Sequence, residues 1–101
     1  MDSEIIKFNI IIINKESNKI ENNISLENMK FLLNKSILRI FGSFIASKLI
    51  FEIKKISENN NNFQIEFLKF QKLKLLTSLL MISDLEFNIR VNIYYNNKNN
   101  D

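Results

Sequence analysis

The sequence predicts an α+β fold, a ferredoxin-like βαββαβ two-layer sandwich in which a four-stranded antiparallel sheet carries two helices on one face. Four segments alternate apolar and polar residues, and two others repeat apolar residues at helical spacing, in the order β-α-β-β-α-β. Right-handed crossovers then place both helices on the same side of the sheet, with the first and third strands in its centre.

The length and composition are those of one globular domain. The chain has 101 residues, of which 46% are hydrophobic and 25% charged. We therefore expect a single domain over residues 1–101, ordered from about residue 4 to 95, with a polar, Asn-rich tail at 96–101.

The first strand is predicted at residues 4–14 and the loop after it at 15–24. One face of this strand carries only large apolar side chains, namely Ile6, Phe8, Ile10 and Ile12. The other face is mixed, which suits a strand in the middle of a sheet.

The first helix is predicted to begin after Ser25, an N-cap residue, with Glu27 in its first turn. Its core stripe consists of Leu26, Met29, Leu33, Ile37 and Ile40. Gly42 is the only glycine of the chain and follows this stripe directly. It is therefore predicted to end the helix at the C′ position, in a left-handed conformation.

The second half of the chain is predicted to contain two strands, a helix and a last strand. Their predicted ranges are 48–56, 63–67, 72–85 and 87–95, with an Asn-rich turn at 59–62. In the last strand Phe87, Ile89, Val91, Ile93 and Tyr95 share one face by strict alternation.

Residue types exclude several kinds of chemistry. With no Cys and no His, the chain has no thiol nucleophile, disulfide or imidazole base. We predict no catalytic residue, no metal site and no cofactor. Glu52, Glu66 and Glu86 are expected on the open face of the sheet. Such carboxylates serve acid–base chemistry or bind Mg²⁺ in some proteins, but surface pairing with Lys7, Lys54 and Arg90 is the favoured interpretation.

Nucleic-acid binding is compatible with a formal net charge of +3. RNA stacking on the third strand is disfavoured, because its aromatic residues face inward while Glu66 faces outward. Two groups of basic residues are candidates for phosphate contacts: Lys69, Lys72 and Lys74 at the start of the second helix, and Lys35 and Arg39 on the outer face of the first. Ordinary solvated helix faces explain these residues equally well.

Several apolar residues fall outside the predicted core. Phe31, Leu38, Met81 and Leu85 lie off the helical stripes, and Ile11, Ile13 and Ile50 lie on the open face of the sheet. Apolar residues on several surfaces favour a protein partner. The alternative is that these residues are not exposed, either because the predicted helical phase is off by one residue or because the loop at 15–24 covers them.

Segments 36–48, 49–56 and 77–85 resemble the Pop-five/Rpp-fourteen family of ribonuclease P and MRP protein subunits. The shared features are the apolar-apolar-glycine helix end Ile40-Phe41-Gly42, a small-residue turn at 43–47 and a helix rich in Leu and Ser at 73–82. In element order the resemblance covers residues 5–95. Glu66 and Leu68 stand where family members commonly have arginine.

The resemblance implies a non-catalytic subunit in the nucleus or nucleolus. In ribonuclease P the RNA performs the 5′ cleavage of precursor tRNA, and a barrel-type protein subunit is the partner of this family. From the residue pattern we predict backbone-type RNA contacts by Lys35, Arg39, Lys69, Lys72 and Lys74, and partner packing by Phe31, Leu38, Met81 and Leu85. A homodimeric regulatory domain of the same fold and, more weakly, a small hydrolase are the alternatives.

The sequence predicts no signal peptide and no membrane segment. Acidic residues precede the first apolar run, and the longest such run, at 10–13, is far too short to cross a bilayer. We therefore expect a soluble intracellular protein.

Overall fold

The computed structural model describes residues 2–98, with side chains through Tyr95. The elements follow the predicted order β-α-β-β-α-β, and a single 3₁₀ turn at Lys69–Gln71 precedes the second helix. Their bounds are β1 (Ser3–Asn14), α1 (Leu26–Ala46), β2 (Phe51–Lys55), β3 (Asn62–Leu68), α2 (Lys72–Leu80) and β4 (Phe87–Lys98). None of the helices within residues 2–98 is both long enough and apolar enough to cross a membrane.

The four strands form one sheet in the order β2-β3-β1-β4. All neighbouring strands are antiparallel, and β1 and β3 are central. This order confirms the predicted ferredoxin-like topology. No helix within residues 2–98 covers the opposite face of the sheet.

The core lies between one sheet face and the two helices. On β1 the predicted inward residues are all buried, and the Phe8 and Phe63 rings stack with centroids 5.9 Å apart. The helices contribute Met29, Leu33 and Ile37 from α1, and Leu75 and Leu79 from α2. Burial of these side chains supplies the main driving force for folding.

The start of α1 is capped as predicted. The Ser25 hydroxyl accepts a hydrogen bond from the Asn28 backbone N–H at 3.0 Å. Glu27 is the acidic residue of the first turn, where a negative charge complements the helix dipole.

Gly42 interrupts α1 but does not end it. Its φ is +84° and its ψ 173°, an extended conformation at positive φ that is essentially restricted to glycine. The chain then makes one more helical turn to Ala46, and the Ser47 N–H closes it on the Ser43 carbonyl at 3.0 Å. The positive φ is confirmed, and regular helical geometry breaks at Gly42 as predicted. The left-handed C′ conformation is wrong, because ψ is 173° and a further helical turn follows.

Gly42→Ala is expected to lower the free energy of unfolding by about 1–3 kcal/mol, the cost of a Cβ at such backbone angles. No atom lies within 4 Å of the added methyl group, so the cost is torsional and not steric. Urea unfolding followed by circular dichroism measures it, with the neighbouring exposed Ser43→Ala as control. Equal stability of the two variants would contradict the strain.

The second helix is shorter than predicted. It ends at Leu80, and residues 82–86 are irregular. The Asp84 carboxylate accepts the Glu86 backbone N–H at 2.8 Å, a local bond that competes with helix formation. Ile82 turns into the core, and Leu85, predicted on the helix, is in the connection and 95% exposed.

The last strand contains an irregularity that alternation does not reveal. Phe8 pairs with Ile93 whereas Lys7 pairs with Tyr95, so Tyr94 is an extra residue in β4. This β-bulge moves Tyr95 to the open face, which corrects the predicted inward position. The strand continues to Lys98, three residues past its predicted end. Residues 99–101 of the predicted tail lie outside the described residues.

The segment at 15–24 folds back along the end of β1. The Asn14 N–H donates to the Lys19 carbonyl at 2.8 Å, and the Glu21 N–H donates to the Ile12 carbonyl at 2.9 Å. Ile20 bridges to Ile13 on the side of β1 where β3 has already ended. The segment therefore extends the pairing of β1, and it leaves Ile11 37% exposed.

Candidate nucleic-acid and partner interface

The outer face of α1 carries two large apolar residues. Phe31 is 64% and Leu38 50% exposed. They are separated by about two helical turns and lie opposite the buried stripe of α1. Lys35 lies between them and is exposed. Neighbouring exposed apolar side chains of this size make the outer face of α1 a candidate contact surface.

The 81–85 connection packs beside this face. The Arg39 Nη2 atom donates to the Met81 carbonyl at 2.5 Å, and the Ser36 hydroxyl donates to the Ser78 carbonyl at 2.6 Å. Both bonds join α1 to the end of α2. Lys35, Arg39 and Leu85 line a shared groove of about 310 Å³.

Six predicted site residues therefore form one surface, which we call the helix surface. Its members are Phe31, Lys35, Leu38, Arg39, Met81 and Leu85. The predicted RNA contacts on α1 and the predicted partner contacts are thus not separate. A surface with basic and exposed apolar groups side by side is chemically suited to a site where RNA and protein meet.

A second groove opens beside Phe31. It has a volume of about 380 Å³ and lies between α1, β1 and the start of β4. Ile12, Leu32 and Phe87 contribute apolar walls, and Asp84 lies at its border with the 81–85 connection. The apolar character of the helix surface thus extends toward the edge of the sheet.

The other basic residues form a cluster at the start of α2, consisting of Lys69, Lys72 and Lys74. The Lys72 ammonium is 2.7 Å from a carboxylate oxygen of Glu4, whose side chain is only 3% exposed. Lys72 therefore neutralises a buried charge. Among the described residues no ion pair involves Lys69 or Lys74, and Lys74 is exposed.

The acidic residues of the sheet lie beside one another and beside hydroxyl and ammonium groups. Glu52 and Glu66 are direct cross-strand neighbours, and the Ser3 hydroxyl donates to Glu66 at 3.1 Å. Lys54 lies 4.0 Å from Glu52. Glu86 precedes β4 in the irregular connection, so its predicted place on the sheet is wrong. Within residues 2–98 no group of three potential ligands could hold a metal ion.

Glu4 and Gln71 are polar residues whose structural roles sequence reasoning missed. Glu4 lies on the same face of β1 as Ile6 and Phe8, because side chains two residues apart point to the same side of a strand. The alternating pattern could therefore have predicted its burial. Gln71 gave no such signal. Its side chain accepts the Ile50 N–H and donates to the Lys48 carbonyl, both at 3.1 Å, and thereby joins α2 to the entry of β2.

Further exposed apolar residues lie away from the helix surface. Phe44 and Phe70 are each 70% exposed, and Leu73 is 80% exposed. The sequence patterns did not single out these residues. Phe44 and Leu73 are therefore suited to matched control substitutions.

No family model matches the sequence, and no curated protein matches it. The fold, in contrast, is found in a solved structure. A chain in the cryo-EM structure of yeast ribonuclease MRP superposes with a TM-score of 0.73 over 96% of this chain and 74% of that chain. The two chains share a fold. Their sequence identity is 13%, so the likeness concerns the fold alone.

Proposed function

We propose that this protein is a non-catalytic subunit of a ribonuclease P or MRP particle. In this role it supports tRNA 5′ maturation by binding the catalytic RNA and a barrel-type protein subunit. The observation that carries the proposal is the structural likeness to a chain of yeast ribonuclease MRP over 96% of the sequence. The absence of His and Cys agrees with a role outside catalysis.

The proposed RNA contacts are of the phosphate type. Lys35, Lys69 and Lys74 supply ammonium groups, and Arg39 retains donors beyond the one used on Met81. Lys72 adds positive charge to the same cluster while it compensates Glu4. Contacts of this kind position an RNA without reading its sequence.

Affinity purification of the tagged full chain from cells that express it tests the assignment. The expected co-purifying components are a ribonuclease P or MRP RNA and a barrel-type protein subunit, retained at moderate salt. A stable homodimer with no bound RNA would contradict the proposal. That result would favour the regulatory-domain alternative, which exposed apolar residues such as Phe31 and Leu38 also permit.

Lys69→Glu/Lys74→Glu is expected to weaken binding of that RNA at every sequence tested. The plot of log affinity against log salt concentration should become less steep. Its slope should decrease in magnitude by about two, which is about one for each lost phosphate contact. Filter binding at several salt concentrations measures both quantities. Lys72 is left unchanged, because an acidic residue there would face the buried Glu4 carboxylate.

A matched control separates local contacts from net charge. Lys19→Glu/Lys30→Glu makes the same change of net charge at exposed positions outside the cluster. We expect it to alter the slope far less. If both double variants change affinity and slope equally, or neither does, Lys69 and Lys74 do not contact RNA.

A further inference from the structure

We propose that the open face of the sheet, along β1 and β4, binds a single-stranded segment of RNA, with Tyr95 stacked on an unpaired base. The inference rests on the proposed function, since it requires a chain that meets RNA. It adds an RNA site apart from both the helix surface and the lysine cluster at the start of α2.

The bulge at Tyr94 creates the stacking platform. It places Tyr95 opposite Lys7 on β1, and the Lys7 ammonium lies 4.9 Å from the centre of the Tyr95 ring. The Tyr95 side chain is 42% exposed. An aromatic ring with a cation over one of its faces is thus presented to solvent, on a side of the sheet that no helix of residues 2–98 covers.

Two adjacent rows of side chains cross the open face at this level. We call them the open-face rows. The first contains Lys54, Gln64, Lys7 and Tyr95, and the second contains Asn62, Asn9 and Asn92. Neighbouring strands are about 4.8 Å apart, so each row is a continuous strip of polar groups.

The open-face rows combine the groups that single-stranded RNA requires. An aromatic ring stacks on any base, amides hydrogen-bond base edges, and lysines attract phosphates. Asn92 donates to Asn9 at 3.2 Å, which orders this amide pair and leaves further polar atoms of both for a ligand. The open-face rows contain no carboxylate.

The charges that flank the open-face rows favour binding of a polyanion on the β4 side of the sheet. Arg90 on β4 lies beyond the second row, opposite Ile11. Glu52 and Glu66 lie beyond the first row, on β2 and β3. Phosphates are therefore attracted toward β4 and repelled from the acidic corner. A protein partner fits less well, because the rows lack the aliphatic side chains that form an interface core.

Tyrosine fluorescence tests the stacking directly. The chain has two Tyr and no Trp, so Tyr94→Phe leaves Tyr95 as the only strong fluorophore. Titration with a single-stranded ten-nucleotide oligouridylate should quench it saturably. The matched protein Tyr95→Phe retains Tyr94. Its fluorescence should fall only by the small, non-saturating amount that absorption of the exciting light by the added RNA causes. Equal quenching of both proteins, or of neither, overturns the proposal.

Affinity provides a second, independent readout. Anisotropy of the labelled oligonucleotide should show binding weakened about five-fold or more by Tyr95→Ala, and by less than about two-fold by Tyr95→Phe, which keeps the ring. Tyr94→Ala should bind like the unmodified chain. Circular dichroism confirms that each variant is folded. If Tyr95→Ala binds normally, or an RNA duplex of the same length binds as tightly, the proposal fails.

The open face and the lysine cluster at the start of α2 are separable by experiment. The Lys69→Glu/Lys74→Glu protein should keep the saturable quenching of Tyr95. If the purified particle contains a ribonuclease RNA but the oligonucleotide quenches nothing, only the present inference fails. If quenching occurs but purification yields no ribonuclease RNA, only the proposed function fails.

Discussion

Lys72→Met is expected to lower the free energy of unfolding by about 3 kcal/mol. Breaking a buried ion pair by removing one partner costs about 3–5 kcal/mol, because the remaining charge stays buried without compensation. The Glu4 side chain is 3% exposed and the Lys72 side chain 31% exposed, which places the expected loss at the lower end of that range. Urea unfolding followed by circular dichroism measures it.

A double variant and a matched control identify the cause. Glu4→Gln/Lys72→Met removes both charges and should recover most of the lost stability, since no ion then remains in the core. Lys74→Met makes the same side-chain change at an exposed position of the same helix, where we expect less than about 0.5 kcal/mol. If Lys72→Met is as mild as Lys74→Met, the pair does not stabilise the fold.

The sequence predicted the elements and their order because both periodicities are visible in it. The inward residues of β1 alternate without interruption, and the α1 stripe is equally regular from Met29 to Ile37. The Ser25 cap was equally predictable, since its hydroxyl acts within its own turn. These features depend on neighbours in sequence, and therefore local patterns reveal them.

Other features depend on competing interactions that periodicity does not show. Leu85 falls within the predicted range of α2, but the side chain of Asp84 bonds the Glu86 N–H and the helix has already ended. Tyr95 continues the alternation of β4, but the bulge at Tyr94 reverses its face. Gly42 signals a break, and only the backbone shows that a helical turn follows it.

The candidate site was predicted residue by residue but not as an assembly. Arg39 and Met81 are 42 residues apart in sequence and are brought together by the packing of α1 on α2. No local pattern predicts that contact. Nor does the sequence distinguish Lys72 from Lys74, although one compensates a buried carboxylate and the other is exposed.

Phe31→Asp/Leu38→Asp is expected to abolish co-purification of the barrel-type subunit. A hot-spot residue at the centre of an interface is worth about 2 kcal/mol or more, which corresponds to a loss of about thirty-fold. Phe31 also borders the apolar groove between α1 and β4, where a partner side chain would fit. Quantitative pull-down with the tagged chain measures the loss.

The fold should survive this double substitution, because both side chains already contact solvent over half or more of their surface. The matched control is Phe44→Asp/Leu73→Asp, which makes the same chemical change at exposed residues outside the helix surface. Loss of the partner with the first double variant and retention with the second would locate the interface on the outer face of α1. If Phe44→Asp/Leu73→Asp loses the partner and Phe31→Asp/Leu38→Asp retains it, the interface lies at the end of the molecule where α1 meets β2. The assignment of Phe31 and Leu38 would then be wrong.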